Sequence, residues 1–189
     1  YNTGFFANAD GTARSREVWS FAAIEPLFDE ARARFGTATP RYTLYGHSAG
    51  AQFVHRYVLF MPGARIRQAI AANAGWYTMP DRALAYPYGA GGAPIDEAGL
   101  AAALGQPLTV LLGTADTDTA HPNLRTTPEA NSQGPHRYAR GQSFFAAGRA
   151  AAARQGVPFG WRLETVRGVG HKNGEMAKAA ARLIAARQR

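Results

Sequence analysis

The chain has 189 residues, 46% hydrophobic and 18% charged, which is enough apolar material for one packed domain and too little charge for a disordered chain. Cysteine is absent, which excludes disulfides, thiolate metal ligands and a cysteine nucleophile. The formal charge of +8 invites a nucleic-acid reading, but lysine occurs only at Lys172 and Lys178 and the arginines are spread along Ala-rich stretches, so no nucleic-acid partner is expected.

No apolar run approaches the roughly 18 residues of a membrane span, and no internal repeat is visible. Residues 15–35 are helical by pattern through Val18, Ala22, Leu27, Phe28, Ala31 and Phe35, with Pro26 either kinking the helix or marking a new start. Residues 41–46 read as a short strand entering a Gly-rich turn, and 51–60 as a helix with Val54, Tyr57 and Val58 along one side, stopped by Pro62-Gly63. A second strand is predicted at 67–73 and a third at 107–113. A long Ala/Arg helix covers 137–155, and a fourth strand lies at 159–167. The last helix starts near Asn173, a good N-cap, and aligns Met176, Ala180, Leu183 and Ile184 on one face. Residues 75–99 and 114–136 read as long loops, which in an alternating fold lie where ligands bind.

This alternation predicts an α/β fold: a mostly parallel sheet with helices on both faces, in a single domain over 1–189. Four strands are few for such a sheet, and its first strands are expected upstream of Tyr1.

Gly46-His47-Ser48-Ala49-Gly50 has the form G-x-S-x-G, directly after an apolar strand and directly before a helix. That context predicts a tight turn with small residues on both flanks of a strained, exposed Ser48. The helix N-terminus then faces the site, and the Ala49 N–H is free to donate to an oxyanion.

A serine hydroxyl needs a base within hydrogen-bond reach. His47 lies inside the turn and His55 on the next helix, where it is expected at the surface. His121 and His136 sit beside prolines in the long loop and read as solvated. His171 follows the last strand and Gly168-Val169-Gly170 and precedes the final helix, the position of the base in the order Ser…Asp…His. For the acid, Asp116 and Asp118 both follow the third strand. Asp116 leaves the strand end sooner and is preferred, while Asp118 suits an Asx turn.

The stretches GHSAG, GTADTD and GVGH, in that order, resemble an α/β-hydrolase. AANAGWYTMPD, LLGTADTD, HPNLRTTPEA and GVGHKNGEM resemble more specifically the bacterial poly(3-hydroxybutyrate) depolymerase-like esterases. The resemblance covers nearly the whole chain but begins inside the family's pattern: members carry an earlier strand ending in His-Gly that supplies a second oxyanion donor. It implies hydrolysis of small or polymeric carboxylic esters, polyhydroxyalkanoates among them, through Ser48, His171 and Asp116 with Ala49 as oxyanion donor, and it implies export to the periplasm or exterior of a bacterium. No cofactor is expected, and Asp118 with His121 lacks the third ligand of a metal site. Trp76 is either an aromatic wall for the acyl group or a loop aromatic folded onto the core, and His47 is a further candidate for lining the cleft. A peptidase of the same fold and a non-catalytic binding protein are the alternatives.

Overall fold

The computed structural model describes residues 1–8, 10 and 12–186. Four parallel strands, β1 (Tyr42–His47), β2 (Ile66–Ala72), β3 (Leu108–Gly113) and β4 (Arg162–Val166), pair in the order in which they occur along the chain. The two central strands are almost wholly buried, because both of their faces are covered by helices. Alternate residues feed the two sides: Ala69, Ala71, Val110 and Leu112 face the larger core, and Ile70, Ala72 and Leu111 the smaller one.

The larger core holds α2 (Ala49–Phe60), α3 (Glu97–Leu104) and α5 (Arg137–Gln155). The smaller is closed by α6 (Asn173–Ala186), whose Met176 and Ala180 are buried and whose Leu183 and Ile184 pack beside them, the face expected from the sequence. No helix among the described residues is long and apolar enough to cross a membrane.

Helix α2 is buried on more than the predicted side, because the N-terminal segment lies across it. Phe6 meets Phe60 edge-on at 4.8 Å, and Phe21 meets Phe53 at 5.0 Å. His55 is fully buried, not at the surface, because its ring packs on Tyr77 at 5.0 Å and Phe144 at 5.2 Å. Its Nε2 accepts from Thr78 N–H (3.1 Å), so the proton sits on Nδ1, which donates to Ala51 O (2.9 Å). Burial, and then the neighbouring Arg56 charge, hold this histidine well below its ordinary pKa.

The expected helix at 15–35 is divided. Two short 3-10 turns at Arg16–Val18 and Ser20–Ala23 precede α1 (Ile24–Phe35), so Pro26 lies in a first turn, where its missing N–H costs nothing. Val18, Leu27 and Phe35 are exposed, contrary to the predicted apolar face. Of that face Phe28 does dock, against Tyr42 at 4.8 Å, and it is joined by Ile24 and by Glu25, which accepts from Tyr42 and Arg65.

The predicted loop 75–99 runs into helix α3 at Glu97, and 114–136 contains a further short helix. Asp96 caps α3 by accepting from Gly99 N–H (2.8 Å), and Thr127 caps the short α4 (Pro128–Ser132). His136, read as solvated, caps α5 by accepting from Ala139 N–H.

Candidate active site

Ser48 joins the end of β1 to α2 with φ 55° and ψ −115°, a conformation that an L-residue keeps only when its surroundings enforce it. The enforcement is local. Ser48 N–H donates to Ala72 O (3.0 Å) on the neighbouring strand, and Ser48 O accepts from Gln52 N–H (3.1 Å) in the first helical turn. Gly46 is required by contact, since a Cβ there would lie 2.3 Å from Gly50 O; at Gly50 a Cβ would meet nothing within 4 Å. The expectation of a steric need on both flanks therefore holds on one. Ala49 is exposed and begins α2, so its N–H has no carbonyl one turn back to accept it.

Three separate loop ends bring a polar chain together. Ser48 Oγ lies 3.0 Å from His171 Nε2, across 123 residues of sequence. The other ring nitrogen, Nδ1, lies 2.8 Å from Asp116 Oδ2. With Nδ1–H donating to the carboxylate, Nε2 keeps a lone pair for the serine proton. Asp116 is 2% exposed and belongs to a turn closed by its own N–H to Gly113 O (3.0 Å). Asp118 is exposed and accepts from Ala120 N–H (2.8 Å), the Asx-turn role foreseen for it.

A carboxylate in that setting needs a counter-charge. Arg137, the first residue of α5 and equally buried, puts Nη1 3.6 Å from Asp116 Oδ1, while Nη2 lies 3.2 Å from His121 Nδ1. The α5 helix is fixed to the same loop by Tyr138 N–H donating to Asp116 O (3.1 Å). His121, expected to be solvated, instead stands edge-on to the His171 ring at 5.5 Å. Neither Arg137 nor the contact made by His121 was anticipated from the sequence.

His47 lies against the same imidazole at 4.6 Å. Burial first, then the charges of His171 and Arg137, push it down to about 4, so it is neutral at ordinary pH. Trp76 is only 5% exposed, with the guanidinium groups of Arg56 and Arg125 over its ring at 4.1 and 5.0 Å and Tyr88 beside it at 4.8 Å. Of its two foreseen roles the packed one describes this geometry. Among the described residues no three His, Asp or Glu side chains gather as metal ligands would. The whole arrangement sits at the C-terminal ends of the strands, where the loops of a parallel α/β sheet form ligand sites.

Among solved structures the chain is similar to poly(aspartic acid) hydrolase-1 of Sphingomonas sp. KT-1, at 53% identity and a TM-score of 0.95 over 97% of this chain and 69% of that one. It is also similar to the poly(3-hydroxybutyrate) depolymerase LpqC of Bordetella parapertussis, at 41% identity and a TM-score of 0.90 over 97% of this chain and 63% of the other. The chain thus spans about two thirds of the length of each. No protein-family model matches it, and no curated protein does.

Proposed function

Because the chain belongs to the α/β-hydrolase superfamily, beside polymer-cleaving hydrolases, we propose that it is a serine hydrolase that cleaves carboxylic esters through Ser48, His171 and Asp116. What carries the reading is the continuous polar chain Ser48 Oγ–His171 Nε2, His171 Nδ1–Asp116 Oδ2, at 3.0 and 2.8 Å.

Ser48 attacks the acyl carbon as His171 Nε2 removes its proton, and the Ala49 N–H takes the developing oxyanion. Asp116 holds the ring in the tautomer that accepts at Nε2 and stabilises the imidazolium without itself taking the proton. The imidazolium then protonates the departing alcohol. A water molecule, deprotonated by the same nitrogen, attacks the acyl-serine, releasing the acid and restoring the hydroxyl. No cofactor is invoked. Neutral His47, against the His171 ring, is the side chain offered to the substrate flank.

The likeness to a poly(aspartic acid) hydrolase favours a second reading, cleavage of amides in a carboxylate-bearing polymer, which Arg125 and the net charge of +8 suit. A fluorophosphonate should label the wild type and spare Ser48→Ala; equal labelling of the two defeats the assignment of Ser48, and labelling of neither leaves a binding protein. Turnover of 4-nitrophenyl esters is then compared with that of peptide anilides and poly(aspartic acid). Faster cleavage of every amide tested replaces the ester reading by the amide one.

A further inference from the structure

The segments that carry the nucleophile, the acid and the base are all tied to one dipeptide, Ala72-Asn73, at the end of β2. Ser48 N–H donates to Ala72 O at 3.0 Å. Asn73 Oδ1 accepts from Gly113 N–H at 2.8 Å, at the end of β3 where the acid-bearing loop begins. Asn73 Nδ2 donates to Gly170 O at 3.2 Å, the residue immediately before His171. One side-chain amide therefore joins segments 40 and 97 residues away from it.

The surroundings give this amide little freedom. Asn73 is fully buried, and its own N–H is committed to Leu111 O at 3.1 Å. Its φ of 49° lies in the left-handed region, which asparagine tolerates better than almost any residue except glycine. The two loops that it joins also touch one another. Ala115 N–H donates to Val169 O at 3.0 Å, and a Cβ on Gly113 would come within 2.3 Å of that same oxygen. Asn73 closes the seam at the point where the acid and base loops leave the sheet.

We infer that Asn73 is a positioning residue of the hydrolytic centre, its side-chain amide holding the Asp116 loop and the His171 loop in register with Ser48. The inference rests on the Ser48–His171–Asp116 reading above. The amide acts through Gly113 and Gly170, so its removal leaves substrate contacts in place and displaces the base. Misplacement of a reacting group by about 1 Å costs on the order of 10²-fold in rate.

The test is steady-state hydrolysis of a soluble 4-nitrophenyl ester by the wild type, Asn73→Gly, Asn73→Asp, His171→Ala, Ser48→Ala and the double variant Asn73→Gly/His171→Ala. Glycine adopts the same φ without strain and deletes both hydrogen bonds, whereas aspartate keeps the acceptor for Gly113 and loses the donor for Gly170. Asn73→Gly should lower kcat by about 10²-fold with KM nearly unchanged. Added to His171→Ala it should cost almost nothing more, because a residue that acts through the imidazole has nothing left to position. A wild-type kcat in Asn73→Gly overturns the inference, and so does a loss repeated in full on the His171→Ala background. If Asn73→Gly does not fold, the near-isosteric Asn73→Asp decides: a fall in kcat at constant KM supports the role, and a wild-type kcat overturns it. Retained activity in Ser48→Ala would instead defeat the hydrolase reading itself, a separate failure.

Discussion

Replacing Gly46 by alanine asks whether the bend at Ser48 is held by backbone contact. The new Cβ would lie 2.3 Å from Gly50 O, 2.4 Å from Gly50 C and 2.9 Å from Ala51 N, against 3.4 Å or more in ordinary contact. The end of β1 and the first turn of α2 must therefore part by about 1 Å. All three neighbours are backbone atoms, so none can swing aside as the tip of a side chain would. Ser48 lies between the displaced segments, and an error of that size at a reacting group is worth on the order of 10²-fold in rate. The forced contact also costs about 1–3 kcal/mol of stability. Gly50 supplies the internal control, for a Cβ there meets nothing within 4 Å, and alanine in place of glycine inside a helix gains about 0.5–1 kcal/mol. Fluorophosphonate labelling rates and thermal melts of the two variants provide the assay. Gly46→Ala should label about 10²-fold more slowly and melt lower, while Gly50→Ala should label at close to the wild-type rate and melt no lower. Wild-type labelling by Gly46→Ala, or equal damage in both variants, would refute the contact argument.

The two aspartates of one loop should separate cleanly. Asp116→Asn should lower kcat by a factor on the order of 10⁴ by removing the charge and favouring the wrong tautomer; Asp118→Asn, at an exposed turn, should stay within about 0.5 kcal/mol in stability and near wild type in rate. Comparable losses in both would reopen the choice of acid. Arg137→Met leaves the Asp116 carboxylate buried without its cation, and a urea titration should register a loss of about 3–5 kcal/mol. Adding Asp116→Asn to it should restore part of that stability, and an unchanged midpoint in the double variant would count against the ion pair. His55 is held well below 6.5 in the fold, by burial and then by Arg56, and takes its ordinary value when unfolded. Below pH 6.5 the unfolded chain binds a proton that the fold refuses, so stability falls as pH drops through that window and is insensitive to this group above it. His47, pushed down to about 4, adds to the same trend. Melting temperatures measured from about pH 7 down to pH 5 should decline in the wild type and less steeply in His55→Gln, and identical slopes would show that His55 is not the source.

β3 was readable as a short apolar run buried on both faces, whereas β4, Arg162–Val166, at the edge of the sheet, mixes polar and apolar residues. Helices α2, α5 and α6 and the buried face of α6 followed from their period, but Asn173, expected as the N-cap of α6, is its first helical residue and its Oδ1 accepts from the Tyr45 hydroxyl. Asp96 ahead of an Ala/Leu run and Thr127-Pro128-Glu129 are also legible helix starts. They were hidden by the Gly- and Pro-rich stretches around them, which read as continuous loop. The burial of α1 was misjudged for a different reason. Its period marks Leu27, Phe28 and Phe35 together, but what decides docking is the partner: of these Phe28 meets Tyr42, and Glu25, which no apolar period marks, meets Tyr42 and Arg65 at the edge of the sheet.

The site divides along the same line. Ser48, Asp116 and His171 each stand at a strand end with its own local signature, so their positions could be read before their contacts were known. His121 and Arg137 meet one another 16 residues apart and act on groups elsewhere, and no local pattern records such a contact. One trace of it does survive in the sequence. Helices disfavour cations in their first turn, where the backbone dipole is already positive, yet α5 opens with Arg137-Tyr138-Ala139-Arg140 and no acidic residue. Both arginines are buried, Arg137 against Asp116 and Arg140 on the carbonyls of Gly75 and Gly134. A residue placed against the local electrostatic preference is held there by something distant. For Arg137 that something is the buried carboxylate on which the histidine leans.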